Sequence, residues 1–245
     1  MSDSKEFKPC ILIPTYENPD TIHEVVLAVR KHLDQVIVID DGSSEPGRRA
    51  AEALATEGLA EVRHRAENGG KGAALIDGLR FAHELGFSHA LQIDADGQHD
   101  VSDVPRFLEA SRQRPEALIL GTPLFDESAP RGRRIARSIS VFWVNLETGG
   151  SIIADPLCGF RVYPVKQAVS VKPRAHRMGY DPEVAVRLYW TGTPIVNLDT
   201  RVSYPEGGVS HYRMFWDNVE MSWTHTRLFN QALPRLLYRW IRWGR

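Results

Sequence analysis

The sequence predicts an α/β fold, a mainly parallel sheet with helices on both faces. Three observations predict it. Short apolar runs alternate with helically spaced segments through the first 120 residues. Several of those runs end in carboxylates and glycine turns. The chain, with 245 residues, 42% hydrophobic and 25% charged, is long and apolar enough to bury one sizeable core.

Residues 9–15 (PCILIPT) form an apolar run, the pattern of a strand buried on both faces. Residues 21–33 place apolar side chains at helical spacing. Residues 35–40 (QVIVID) read as a second strand ending at Asp40-Asp41 and a glycine turn. A helix over 47–57, a third strand over 60–65 and a helix over 71–85 follow, the last after Asn68-Gly69-Gly70. Residues 89–94 (HALQID) are the fourth strand, 102–112 a helix and 117–121 the fifth strand. The second half is less regular. It suggests a helix over 133–147, a loop and strand over 155–164, a helix over 182–190, and one or two short strands within 193–204. Residues 210–230 are helical, and Pro234 suits the first turn of a final helix. No linker is visible, so the expectation is one domain over 1–209 with a C-terminal helical extension over 210–245.

Composition excludes several classes. No apolar run approaches the roughly 18–20 residues of a transmembrane helix. The opening MSDSKEFKPC has no apolar signal core, so export is not expected. Cys10 and Cys158 lack a CxxC spacing and read as reduced thiols of a cytosolic protein. A net charge of −1 argues against a nucleic-acid partner. The balance is uneven, however. Residues 221–245 hold five arginines and no carboxylate, against an excess of six acids in the rest. Leu228, Leu233, Leu236, Leu237, Trp240 and Ile241 intersperse with Arg235, Arg239 and Arg242. That pattern suits a helix lying on an anionic membrane surface, with the protein peripheral at the cytoplasmic face. It suits packing on the domain, or on a second copy in a homo-oligomer, as well.

Ligand sites in open parallel sheets lie beyond the carboxyl ends of the strands, and the polar residues collect there. Tyr16 and Glu17 follow the first strand, Asp40 and Asp41 end the second, and Asp94, Asp96 and Gln98 end the fourth. Two carboxylates two residues apart offer hard oxygen ligands to Mg²⁺ or Mn²⁺. A solvated acidic turn has the same composition. Asp100 and Asp103 read as a turn and a helix cap. Other nucleotide motifs fail: there is no P-loop, and Gly70-Lys71-Gly72 breaks the GxGxxG pattern at its third glycine.

Ile13-Pro14-Thr15-Tyr16, Val38-Ile39-Asp40-Asp41-Gly42-Ser43, Asn68-Gly69-Gly70-Lys71-Gly72, Asp94-Ala95-Asp96-Gly97-Gln98 and Asp155-Pro156-Leu157-Cys158-Gly159-Phe160-Arg161 occur in that order. Together they resemble the family 2 glycosyltransferases, which have the GT-A fold, and most of all the polyprenyl-phosphate sugar synthases. The resemblance spans roughly residues 9–204. It implies a metal-dependent, inverting transfer of a sugar from a UDP- or GDP-linked donor to a lipid or lipid-like acceptor, with Mg²⁺ or Mn²⁺ as cofactor. It implies that Pro14 and Tyr16, with Glu17 beside them, contact the nucleoside, and that Asp40 reads the base. Lys71, Asp94 and Ala95 lie beside the nucleotide, and Asp96 and Gln98, with Asp94, hold the metal. A hydroxyl acceptor needs a general base; the resemblance points to Asp181 or Glu183 in Met178-Gly179-Tyr180-Asp181-Pro182-Glu183, or to Asp155. Asp181 is also a natural N-cap before Pro182.

The sequence departs from the pattern in two places. Gly121-Thr122-Pro123 stands where the relatives carry Gly-Ser-Arg, and Glu206-Gly207-Gly208-Val209-Ser210-His211 where they carry Arg-x-x-Gly-x-Ser-Lys. The loop's two lost cations, Arg and Lys, would hold phosphate. Arg134 and Arg161 are retained toward the acceptor, and His211 and Arg213 would meet the diphosphate when their loop closes. Two other functions fit fewer residues: a sugar nucleotidyltransferase, and a non-catalytic membrane-associated protein that binds nucleotide sugars.

Overall fold

The structure, a computed structural model, describes residues 6–125, 131–202 and 214–243. Within them the strands β1 (Pro9–Thr15), β2 (Val36–Asp40), β3 (Glu61–His64), β4 (His89–Gln92), β5 (Leu118–Phe125), β6 (Arg161–Pro164) and β7 (Ile195–Val202) form one sheet. Their order is β3-β2-β1-β4-β6-β5-β7. The helices are α1 (Ile22–Arg30), α2 (Glu45–Thr56), α3 (Lys71–Glu84), α4 (Val104–Gln113), α5 (Arg131–Thr148), α6 (Val165–Ser170), α7 (Tyr180–Trp190) and α8 (Met214–Trp243). β1 pairs in parallel with β2 and β4, β2 with β3, and β5 with β7. Only β6 runs the other way, antiparallel to both β4 and β5. Parallel neighbours need crossover connections, which α1 and α2 supply between β1, β2 and β3.

The strands are apolar on both sides because each side faces a core. Cys10 and Leu12 of β1, with Ile37 and Ile39 of β2, enter one cluster with α3, α7 and Leu228 of α8. Ile11, Ile13, Val36 and Val38 enter a second cluster with α1, Leu54 of α2 and Phe107 of α4. That is the two-residue alternation of a pleated strand.

Several boundaries differ from the sequence expectation, each for a physical reason. β4 ends at Gln92, short of Asp94. Ile93 N still donates to Leu12 O at 3.1 Å, but Pro14 has no N–H to continue the ladder. Residues from Asp94 on are thereby released into a turn. β5 extends to Phe125, and β7 is a single strand, because the two run in register from Leu118↔Ile195 to Phe125↔Val202. α6, six residues long, is too short to give a periodic signal. α7 starts at Tyr180 with Gly179 as N-cap, so Asp181 lies inside the first turn and is not the cap.

α8 is one helix with Pro234 inside it, where the sequence suggested a helix start. The carbonyl that Pro234 leaves unpaired belongs to Asn230, which is exposed and open to water. Leu228 and Ala232, both fully buried, anchor the helix just before the proline. α8 packs on α5 and α7: Trp143 stacks on His225 at 6.1 Å, and Arg227 pairs with Glu183 at 2.6 Å. Among the described residues, no helix is long and apolar enough to cross a membrane. Cys10 and Cys158 are free and buried, and burial pushes the Cys158 thiol up to about 12.

Candidate active site

The parallel ladders bring the C-terminal ends of β1, β2 and β4 to one edge, where Thr15 stands in register with Asp40. Just beyond β4, Asp94 meets Lys71, the first residue of α3. The Lys71 ammonium lies 2.8 Å from Asp94 Oδ1 and 3.2 Å from Asp181 Oδ2 at the start of α7. His99 Nε2 is 3.8 Å from Asp94 Oδ2, and Arg161 Nη1 is 3.5 Å from Asp181 Oδ1. Residues far apart in the chain thus converge on one cluster. Gly159 makes room for it, since a Cβ there would collide with the Asp94 carboxylate.

The electrostatics are uneven. Burial opposes charge on Asp94, but Lys71 and His99 outweigh it and hold the carboxyl well below the usual range. Burial also opposes charge on Lys71, and Asp181 and Asp94 more than offset it, so its pKa is raised. Asp96 is different. Burial, then the charge of Asp94, push its carboxyl upward. Its Oδ1 accepts from Gln98 N at 3.0 Å across Gly97, whose φ is 72°. A half-buried carboxylate raised by a like charge is short of positive charge. A divalent cation would relieve it, so Asp96 and the Gln98 amide oxygen fit such an ion. Among the described residues, no three His, Cys, Asp or Glu side chains form a group that could hold a metal. Two oxygen donors of this kind suit Mg²⁺ or Mn²⁺, with the remaining positions filled by oxygens of an anionic ligand and water.

On the other side of the edge, Asp40 is 1% exposed. Its Oδ1 accepts from Ser43 N at 3.1 Å and its Oδ2 from His64 Nδ1 at 2.8 Å. Asp41 ties down the glycine loop, accepting from Gly69 N at 3.0 Å and Gly70 N at 2.7 Å, and it pairs with Arg65. Glu17 has φ 54°, and its carboxylate accepts from Ser44 N at 2.6 Å and Ser44 Oγ at 2.9 Å. Ser44 is the N-cap of α2, so Glu17 fastens the turn after β1 to that helix. Tyr16 is half-buried beside it, Pro14 lies buried within β1, and the Ala95 carbonyl accepts from Thr21 Oγ1 at 2.7 Å.

Three residues matched to catalysis or the acceptor have their polar atoms engaged by other groups of the protein. Glu183 is fully buried, with Oε1 on Arg187 at 2.7 Å and Oε2 on Arg227 at 2.6 Å. It also accepts from Arg174 N and Ala175 N. Two residues on from Asp181, it points about 200° around the helix, away from Lys71. Arg161 is likewise fully buried, donating to the carbonyls of Pro156, Cys158 and Asp181. It holds the 155–161 loop and offers nothing to an acceptor phosphate. Asp155 accepts from Arg137 Nη1 at 2.5 Å and Leu157 N at 2.8 Å, which leaves it a loop anchor. Arg134 belongs to α5, but its side chain lies outside the described residues, as do His211 and Arg213.

Sequence reasoning missed His64, Arg65 and His99, three partners of carboxylates at the strand edge, and Arg137, the partner of Asp155. The only signal was their type, because their placement depends on strand register and loop path.

The family described as Glycosyl transferase family 2 matches residues 10–166. A UDP-N-acetylglucosamine–dolichyl-phosphate N-acetylglucosaminyltransferase of Methanococcus voltae is 26% identical over 180 residues, covering 66% of this chain and 70% of that one. The polyprenol monophosphomannose synthase of Mycolicibacterium smegmatis is 36% identical over 104 residues, 41% of this chain and 39% of that one. Among solved structures, glucosyl-3-phosphoglycerate synthase from Mycobacterium tuberculosis, in complex with Mn²⁺, UDP-glucose and phosphoglyceric acid, superimposes with a TM-score of 0.70. It is 18% identical and covers 93% of this chain and 80% of that one. The likeness is one of fold.

Proposed function

The chain belongs to glycosyl transferase family 2, is a glycosyltransferase and has the GT-A fold, and on that premise we propose that it moves a hexose from a nucleoside-diphosphate donor to a polyprenyl-phosphate-type lipid. The observation that carries this reading is the Asp94–Lys71–Asp181 cluster at the shared strand edge, with Asp96 beside it. The names of similar proteins support a nucleotide-sugar donor and a lipid-phosphate acceptor.

In this reading the nucleoside lies by Tyr16 and Asp40, and the diphosphate reaches toward Asp96 and Gln98. Those two would hold Mg²⁺ or Mn²⁺, which supplies charge neutralisation for the departing nucleoside diphosphate. Asp94 and Asp181 hold the Lys71 ammonium in place and charged. A lipid phosphate is already anionic and needs no base. Asp181 then acts as a positioning residue, and it becomes the base if the acceptor is a hydroxyl.

The surface of α5 and α8 supports membrane attachment. Ile139 and Phe142 of α5, with Trp216, Trp223, Leu233 and Leu237 of α8, are exposed apolar residues. Beyond Glu220, α8 contains arginines and no carboxylate. An exposed apolar stripe with cations suits a helical surface resting on anionic lipid. We read residues 210–245 as the extension that carries this contact.

The test is transfer from UDP- and GDP-hexoses to polyprenyl phosphate in anionic vesicles with Mn²⁺. Sugar-lipid formation that stops with EDTA is the expected result. No product from any donor overturns the reading, and product only with a hydroxyl acceptor reassigns Asp181 as the base.

A further inference from the structure

The glycine loop before α3 has the composition of a phosphate cradle, yet much of its backbone is taken up by the protein. Gly69 N and Gly70 N donate to Asp41 at 3.0 and 2.7 Å, and Ala73 N donates to His176 O at 2.8 Å. Its glycines are covered as well. A Cβ on Gly70 would lie 2.6 Å from Arg177 Cγ and 2.9 Å from His176 O, and one on Gly72 would collide with the Cβ of Tyr180. Residues 176–180 therefore lie directly on the loop, at a separation that only glycine allows. The group that the loop holds toward the strand edge is the Lys71 ammonium, between Asp94 and Asp181. Arg177 sits on the outer side of the same seam, its side chain 33% exposed. Its Nη1 donates to Asn68 Oδ1 at 3.3 Å, three residues before Lys71. Its Nε lies 3.9 Å from Asp217 Oδ1, and its backbone N–H donates to Glu220 Oε1 at 3.3 Å, both on α8. One residue thus joins the glycine loop, the turn that leads into α7 and the first two turns of α8.

We propose that Arg177 is a positioning residue for Lys71: it locks the glycine loop to the turn before α7, so that the ammonium stays seated where a nucleoside diphosphate binds. This rests on the reading above that the donor diphosphate lies at this strand edge. A lysine ammonium rides on a flexible four-carbon stem, so its place is set by the groups that grip it. Here the grips belong to separate elements. Asp94 follows β4, Asp181 opens α7, and Lys71 itself opens α3. The ammonium is held ready for a phosphate only while the start of α3 and the start of α7 keep their spacing. Backbone contact at Gly70 and Gly72 sets that spacing, and Arg177 closes it from outside. A guanidinium reaches two partners at once, Asn68 and Asp217, which a single ammonium at this position would not. Arg177 therefore acts on the nucleotide through Lys71 and does not touch it.

The experiment is calorimetric titration of the full chain with UDP and GDP in Mn²⁺, for the wild type, R177A, K71A and the double variant. The wild type is expected to bind UDP or GDP. R177A weakens that nucleotide about tenfold, the size expected for a hydrogen bond to a charged group. In the K71A background R177A costs less than about twofold more, the non-additivity of residues that act as a unit. R177K keeps a cation for one of the two partners and recovers affinity to within about threefold of the wild type. R177M keeps an unbranched stem over Gly70 without the guanidinium, and repeats the R177A result if R177A does not fold. An unchanged affinity in R177A, or the same loss with and without Lys71, would show that Arg177 only fastens α8 to the domain and overturn the proposal. If K71A binds as the wild type does, Lys71 does not meet the nucleotide, and the proposal falls while the donor reading stands. A wild type that binds neither nucleotide removes the donor from this edge, and the role of Arg177 with it.

Discussion

At the ends of β1, β2 and β4, the charged side chains of Lys71, Asp94 and Asp96 stay partly exposed. Asp96 is pushed upward by burial and by Asp94, and Lys71 is shared between Asp94 and Asp181. In the bundle of α5, α7 and α8, the same residue types close on one another. Glu183 meets Arg187, Arg227 and two backbone N–H groups, and Glu147 meets His225 at 2.9 Å. The contrast follows from topology. Parallel strands bring their carboxyl ends to one edge together, so polar residues gather there. Helices packed on a sheet face bury theirs, and a buried charge persists only when paired. A family-matched acid or arginine is therefore read by where its strand or helix ends, not by its type.

The contrast can be broken at either region, and the largest effect belongs at the open edge. Asp96→Asn is expected to lower transfer on the order of 10³-fold with the melting temperature unchanged. Retained turnover would remove Asp96 from the site. In the bundle, Glu183→Ala should destabilise by about 3–5 kcal/mol in urea unfolding, because it removes the fully buried carboxylate that holds the half-buried Arg187 and Arg227. Turnover per folded molecule should not change; if it falls as steeply as in Asp96→Asn, the division between edge and bundle is wrong. Gly159→Ala tests the seam between them. Its Cβ would displace Asp94, with an expected loss of roughly 10²-fold in activity. Phe142→Ser with Trp223→Ser removes two aromatic rings that are 63% and 64% exposed. Sedimentation with anionic vesicles should fall about tenfold or more, with UDP binding intact.

The smallest effect is a pH slope. Burial raises the Glu147 carboxyl above its ordinary value of 4.5, despite His225. A folded-state pKa above the unfolded one means the native state binds the extra proton. Stability is fully present below about 4.5 and is lost as pH rises through the raised value. Glu147→Gln should flatten that part of the stability curve, measured by urea titration at stepped pH. An unchanged curve would assign the slope to another group.

Much of the first half was legible because local rules suffice there. The run PCILIPT is β1 residue for residue, and α3 begins at Lys71 where the Gly-Gly turn predicted it. The glycine loop, the acid pair at Asp40-Asp41 and the DADGQ turn follow predicted strands that the sheet brings to one edge, so that shared edge was readable. Its wiring was not. Nothing local says that Asp40 meets His64, since that depends on the β2–β3 register. The second half resisted for related reasons. Pro234 reads as a helix start, yet burial of Leu228 and Ala232 carries the helix through it. Asp181 and Glu183 look equivalent two residues apart, yet they face opposite sides of α7.

The sequence by itself determined the alternation of strands and helices, the edge on which acids gather and the family that shares those motifs. Periodicity, turn residues and spacing are local properties of a chain. Tertiary structure alone decided which charges stand at the strand edge and which hold helices together. Pairing of charges distant in sequence depends on strand register, helix phase and burial, which exist only once the chain has folded.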